Sequence, residues 1–111
     1  MIAVIGDIHG CYYTLLDLYN IIKKKYPKIK VITVGDLVDR GKYSFEVVNF
    51  IQNERILFTP GNHDYMFVSY FKEPGSAFAR SWLFNGYDAT LKSYEKHPAQ
   101  LNRHLKFLLS A

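Results

Sequence analysis

Val31-Ile32-Thr33-Val34-Gly35-Asp36-Leu37-Val38-Asp39-Arg40-Gly41 decides the fold, because four β-branched residues run straight into glycine, two carboxylates and a guanidinium. A short β-branched run bounded by glycine reads as a strand. Working outward, the same pattern stands on either side: Ile2-Ala3-Val4-Ile5 leads into Gly6-Asp7-Ile8-His9-Gly10, and Ile56-Leu57-Phe58-Thr59 leads through Pro60 into Gly61-Asn62-His63-Asp64. None of these runs alternates apolar with polar. Strands covered on both faces have that look, so a parallel sheet lying between helices is expected. In open sheets of this kind ligands gather beyond the carboxyl ends of the strands, where all three polar stretches fall. One crevice is therefore expected to receive side chains from every loop.

Between the strands, residues 11–26 read as a helix with Leu15, Leu16, Leu18, Tyr19 and Ile22 apolar. Lys23-Lys24-Lys25 close its last turn, where cations oppose the negative end of the helix dipole, and Pro27 stops it. Residues 44–53 read as a second helix capped by Ser44, with Phe45, Val48 and Ile51 on one side. Behind the third strand, residues 65–71 read as helical, Glu73-Pro74-Gly75-Ser76 as a turn, and three short helices follow. The last, over 98–109, carries Leu101, Leu105, Leu108 and Leu109 at helical spacing and is expected to pack on the sheet or on a partner. The fold class is α/β: a βαβαβ parallel sheet core with right-handed crossovers, followed by short helices.

A chain of 111 residues makes one small domain, which buries about 60–70% of its unfolded surface. Aromatic residues make up 16%, more ring than a minimal domain hides, so part of it is expected to lie against further strands or a second copy of the chain. The lone Cys11 excludes an internal disulfide and reads as an inert small residue. No basic-then-apolar leader precedes Ile2, and no apolar run approaches the roughly 20 residues that span a bilayer; a cytoplasmic location without membrane contact is expected. The net charge of +4 invites a nucleic-acid partner, but the lysines close a helix without interleaved aromatics and read as a solvated face.

The residues after the strands suit divalent ions. Carboxylate and amide oxygens favour Mg²⁺ or Mn²⁺, imidazole favours Fe, Zn or Mn, and no thiolate joins them. One residue separates Asp7 from His9, so an extended segment can aim both to one side. Asp36, at the next strand end, has two oxygens with which to bridge two ions, and two-metal sites hold their ions roughly 3.5–4 Å apart. Asn62 adds a neutral oxygen for the second.

These three blocks, in order and with helix-length gaps, resemble the signature of the calcineurin-like metallophosphoesterases. Val38-Asp39-Arg40-Gly41 is similar to the branch of serine/threonine phosphoprotein phosphatases and related bacterial and phage phosphatases. Trp82-Leu83-Phe84-Asn85-Gly86 and Thr90-Leu91-Lys92-Ser93-Tyr94 resemble the helical segment that follows the third block in bacterial members. The resemblance implies that residues 1–111 are one metallophosphoesterase domain, the N-terminal half of the family's αββα sandwich. It implies that Asp7 and His9 bind a first divalent ion, that Asp36 bridges, and that Asn62 binds a second; Mn²⁺ is expected ahead of Fe, Zn or Mg. Arg40, helped by Asn62, would hold the substrate phosphate, since a guanidinium fork matches phosphate oxygens. His63 would be the general acid rather than a ligand, oriented by Asp39, while hydroxide formed on the ions attacks phosphorus in line.

The chain also departs from that pattern. Pro60 and Asp64 stand where the protein phosphatases carry Arg and Glu, and Pro-Gly-Asn-His-Asp is commoner in the wider superfamily. His97 and His104 do not resemble the family's two later metal-binding histidines, and a second phosphate-binding Arg is missing, so the second metal site is expected to be incomplete and the domain truncated at its C-terminal side. Both histidines read as ordinary members of a helix face, and Trp82 reads as core. The expected activity is hydrolysis of phosphate monoesters, first of all on phosphoserine or phosphothreonine proteins. The alternatives are a truncated, non-catalytic metal- or phosphate-binding module and a dinucleoside polyphosphate hydrolase.

Overall fold

A computed structural model describes all 111 residues. Strands β1 (Ile2–Gly6), β2 (Lys30–Gly35) and β3 (Leu57–Pro60) form a parallel sheet in the order β1-β2-β3. Gly6 lies opposite Val34, and Gly35 opposite Pro60, so the three carboxyl ends finish side by side. Helices α1 (Tyr12–Lys25) and α2 (Ser44–Asn53) make the two crossovers. Strands laid down in sequential order by crossovers of one hand place both helices on the same face.

That arrangement corrects the expectation of a sheet covered on both sides. Ile5, Val31 and Thr33 are buried beneath the helices, whereas Ile2, Val4, Val34 and Leu57 point outward, Val4 with 62% of its surface exposed. The strand sequences are apolar throughout, but only one face has anything to cover it. Phe45, Val47, Val48 and Ile51 of α2 and Leu15 of α1 fill the covered face.

The remaining chain forms α3 (Asn62–Lys72), α4 (Ala77–Trp82), α5 (Tyr87–Glu95), a 3₁₀ turn (Pro98–Gln100) and α6 (Leu101–Leu109). Helix α3 begins earlier than the apolar pattern suggests, because Gly61 and Asp64 start it directly after β3. Ser76 caps α4 by accepting from the Ala79 amide at 3.1 Å. Ser44 does not cap α2 as expected; Tyr43 holds the cap position without a side-chain bond. The Ser44 hydroxyl instead turns inward to accept from the Asp39 amide at 3.2 Å. No helix is long and apolar enough to cross a membrane.

Phe67 of α3 is fully buried against Trp82 and Tyr94, with ring centroids 5.5 and 5.2 Å away, and Leu105 and Leu108 of α6 close the same core. Arg103 ties α6 to α2 by donating to Gln52 Oε1 at 2.8 Å and Asn49 Oδ1 at 2.9 Å. His97 and His104 are not on one helix face, since Pro98 opens a separate turn between them. Both rings nevertheless stack on Phe45, at 3.7 and 5.0 Å between centroids.

His104 is buried, and its Nδ1 accepts from the Tyr94 hydroxyl at 2.6 Å. Burial, helped by the charges of Arg103 and His97, pushes its pKa down to about 4. The unfolded chain takes up this proton near pH 6.5 and the folded chain does not. The stabilising contribution is therefore complete above pH 6.5 and drains away as pH falls toward 4, by up to about 3 kcal/mol. Urea unfolding of wild type and His104→Phe at pH 7 and pH 4 measures this: wild type should lose stability relative to the variant on acidification, and a constant difference would refute it.

Candidate metal centre

The loops after the strands interlock through their backbones. The amides of Ile8 and His9 both donate to the Asp36 carbonyl, at 2.8 and 3.0 Å, and the Gly10 amide donates to the Leu37 carbonyl at 2.8 Å. Gly41 donates back to the His9 carbonyl at 2.9 Å. Within this lattice Asp7, His9, Asp39 and Arg40 all adopt positive φ, between 44° and 75°. Such backbone costs about 1–3 kcal/mol per residue and survives where its surroundings over-determine it. Two of the close approaches show why glycine is required. Gly35, at φ 92°, has the Asp7 carboxylate where a Cβ would project, and Gly41 lies directly on the Gly10 backbone.

His9, Asp36 and His63 each present a ligand atom within 4.8 Å of the others. His9 Nδ1 lies 3.0 Å from the Val38 carbonyl, which can only accept, so in the neutral ring Nδ1 carries the proton and Nε2 keeps a lone pair. That lone pair faces Asp36 Oδ2 at 3.5 Å. Two acceptors facing one another fit a cation shared between them, and a histidine whose other nitrogen donates to a carbonyl is the usual form of a metal ligand. The other Asp36 oxygen accepts from the His63 amide at 2.8 Å, which fixes the carboxylate plane. The donors present therefore suit a divalent ion.

His63 Nδ1 lies 2.7 Å from Asp39 Oδ2, and its ring meets that of His9 edge-on with centroids 5.0 Å apart. Asp39 is completely buried and is the hub of the second half of the site. Its carboxylate also accepts from the Trp82 indole N–H at 2.7 Å and from the Thr90 hydroxyl, while its amide donates to Thr90 Oγ1 and Ser44 Oγ. Burial raises the Asp39 pKa, and the bonds from Thr90, His63 and Trp82 pull it back.

Asp64 supports both loops. Its carboxylate accepts from the amides of Leu37 and Gly61 at 3.0 Å and of Val38 at 3.2 Å, joining the start of α3 to the loop after β2. Burial pushes its pKa up to about 7 against the pull of those three amides.

The residues expected from the sequence thus fall into two groups. His9, Asp36, His63 and Asp39 form one connected cluster, with a ring nitrogen of His63 within 4.8 Å of the ligand atoms of His9 and Asp36. Asp7 and Asn62 are exposed beside it, and neither side chain makes a hydrogen bond. Arg40 is exposed next to Asp39 and has no ion-pair partner. Trp82, Thr90, Ser44 and Asp64 are functional neighbours that sequence reasoning did not assign. Only Trp82 carried a signal, since a buried indole N–H needs an acceptor.

The model of the calcineurin-like phosphoesterase family matches residues 1–108. Serine/threonine-protein phosphatase 2 of Salmonella typhimurium is 30% identical over 103 residues, covering 90% of this chain and 46% of that protein. The symmetrical bis(5'-nucleosyl)-tetraphosphatase of Nitrosospira multiformis is 37% identical over 65 residues, 57% of this chain and 24% of the relative. A crystal structure described as a candidate diadenosine tetraphosphatase superposes with a TM-score of 0.58 at 30% identity, covering 81% of this chain and 40% of that one. The chain spans less than half the length of these relatives, and its parallel sheet and following helices correspond to the N-terminal half of a metallophosphoesterase. With three strand-end blocks converging on one cluster and a family model running almost end to end, the chain belongs to the calcineurin-like phosphoesterase family.

Proposed function

We propose that this chain contributes the metal-binding and phosphate-binding half of a metal-dependent phosphoric ester hydrolase. The observation that carries the proposal is the convergence of His9, Asp36 and His63, with His9 Nε2 3.5 Å from Asp36 Oδ2, a nitrogen and a carboxylate oxygen that a cation can share. His9 and Asp36 are the central ligands, with Asp7 and Asn62 completing the shell, and their oxygen and nitrogen donors favour Mn²⁺. When bound, a divalent ion polarises a phosphoryl oxygen and acidifies water. Arg40, free of any carboxylate partner, holds the phosphate through its planar fork. Asp39 keeps the His63 Nδ1 proton in place and stabilises the imidazolium, so that Nε2 delivers a proton to the leaving oxygen.

The phosphoprotein reading of the substrate is supported by the Salmonella typhimurium serine/threonine-protein phosphatase, which aligns with 90% of the chain. A second reading, hydrolysis of a dinucleoside polyphosphate, is supported by the structural neighbour that covers 81% of it.

Calorimetric titration with Mn²⁺ tests the centre. Wild type should bind, and Asp36→Asn and His9→Ala should each weaken binding by more than about a hundredfold, beyond the roughly 10- to 100-fold loss usual for an outer-shell residue. Equal affinities would overturn the assignment. Manganese-dependent turnover of p-nitrophenyl phosphate, absent from Asp36→Asn, separates an enzyme from a module that only binds.

A further inference from the structure

We infer that the pocket beside Arg40 is a second anion site, which takes a further phosphate group of the same substrate and so selects polyphosphate chains. The inference rests on the placement of the first phosphate at Arg40. The pocket has a volume of about 440 Å³, within the range of small-molecule sites, and is lined by Arg40, Lys42, Lys92 and Lys96 together with Tyr43 and Glu46. Arg40 belongs to both places. It follows Asp39 of the catalytic cluster in sequence, and its positive φ of 70° turns the chain there before Lys42.

None of these four cations makes an ion pair anywhere in the molecule, and none donates a side-chain hydrogen bond to protein. Lys92 and Lys96 stand four residues apart at the end of α5, so they share one face and repel each other. Glu46 is the pocket's one carboxylate, and its Oε1 is approached by the Ser93 hydroxyl at 3.4 Å rather than by a lysine. Uncommitted like charges lining a concavity concentrate anions there, and a ligand with two adjacent phosphates can engage Arg40 and the lysines together. A phosphomonoester with no second anionic group leaves the lysines unused. The pocket therefore favours the polyphosphate reading of the substrate over the phosphoprotein one.

Calorimetry on the full chain at fixed ionic strength, with orthophosphate, tripolyphosphate, diadenosine tetraphosphate and a phosphoserine peptide, tests this. Tripolyphosphate should bind at least about tenfold more tightly than orthophosphate, as one further charge-assisted contact predicts, and Lys92→Ala/Lys96→Ala should remove that advantage. Both lysines are exposed, so the variant keeps its fold. Lys24→Ala/Lys25→Ala, at the far end of α1, loses the same charge and should keep the advantage. Retention in the Lys92/Lys96 variant, equal loss in both variants, or a phosphoserine peptide that outcompetes tripolyphosphate with the same lysine dependence would each overturn the inference. Diadenosine tetraphosphate binding as tightly as tripolyphosphate identifies the chain of phosphates as the recognised group, and weaker binding would overturn its extension to nucleotides. If Arg40→Ala leaves orthophosphate binding intact while the lysines still govern tripolyphosphate, the Arg40 assignment fails and the second site stands.

Discussion

Replacing His63 by asparagine is expected to lower kcat for an alkyl phosphate by roughly 10²- to 10⁴-fold, the usual worth of a positioned general acid. The expectation comes from the way the ring is held. Nδ1 is committed to Asp39 at 2.7 Å, and Asp39 is itself locked by Trp82 and Thr90, so the ring cannot turn to offer its other nitrogen elsewhere. Asparagine keeps the size and a donor but carries no titrating proton. The chemistry makes the loss depend on the leaving group: an alkoxide needs the proton, whereas p-nitrophenolate departs without it and should lose far less. Because His63 lies within 4.8 Å of the ligand atoms of His9 and Asp36, Mn²⁺ affinity must be measured on the same variant. Unchanged affinity with a leaving-group-dependent kcat marks a proton donor. Loss of Mn²⁺ binding together with a uniform fall in rate would mark a ligand and refute the acid.

The second large effect is on stability. Asp64→Ala should cost roughly 3–5 kcal/mol, because three backbone amides lose their acceptor at once, each worth about 1–3 kcal/mol when left unmet, less the relief of removing a buried carboxyl. Those amides belong to Leu37, Val38 and Gly61, so the variant also loosens the joint between α3 and the loop carrying Asp36 and Asp39. Asp64→Asn retains one accepting oxygen and should lose about half as much. A urea midpoint that falls at constant slope measures the change, and a loss below about 1 kcal/mol for alanine would refute it. The pH dependence has a definite sign. With the folded pKa pushed up to about 7 from an ordinary 3.8, the folded chain keeps a proton that the unfolded chain releases. The stability this provides is complete below pH 3.8 and disappears as pH rises through 7, so the margin of wild type over Asp64→Asn should narrow across that interval.

The strands and the polar residues that follow them were legible because the signal is local: a β-branched run, a glycine, then a carboxylate or imidazole within a few positions. What surrounds Asp39 was not. Ser44 and Thr90 contact it from positions 5 and 51 residues away, and a serine or threonine in a helix bears no mark of the loop it will face. Asp64 looked like a departure from the pattern of the protein phosphatases, whereas its shorter side chain reaches three amides. The continuous apolar strands suggested cover on both sides. Their composition records that the sheet is apolar, but the side on which the helices lie follows from strand order, which no single run encodes. His97 and His104 lie outside the cluster of His9, Asp36 and His63, and their shared stacking on Phe45 comes from a turn at Pro98 that the helical period had hidden.

Trp82 is the chain's single tryptophan, and its indole N–H ends on the same carboxylate oxygen that holds His63. Its emission is therefore a built-in, label-free gauge of that oxygen. Any event that shifts charge at the Asp39–His63 pair, whether cation loading, anion capture or protonation, should register as a change in wavelength or intensity that no second fluorophore of its kind can obscure.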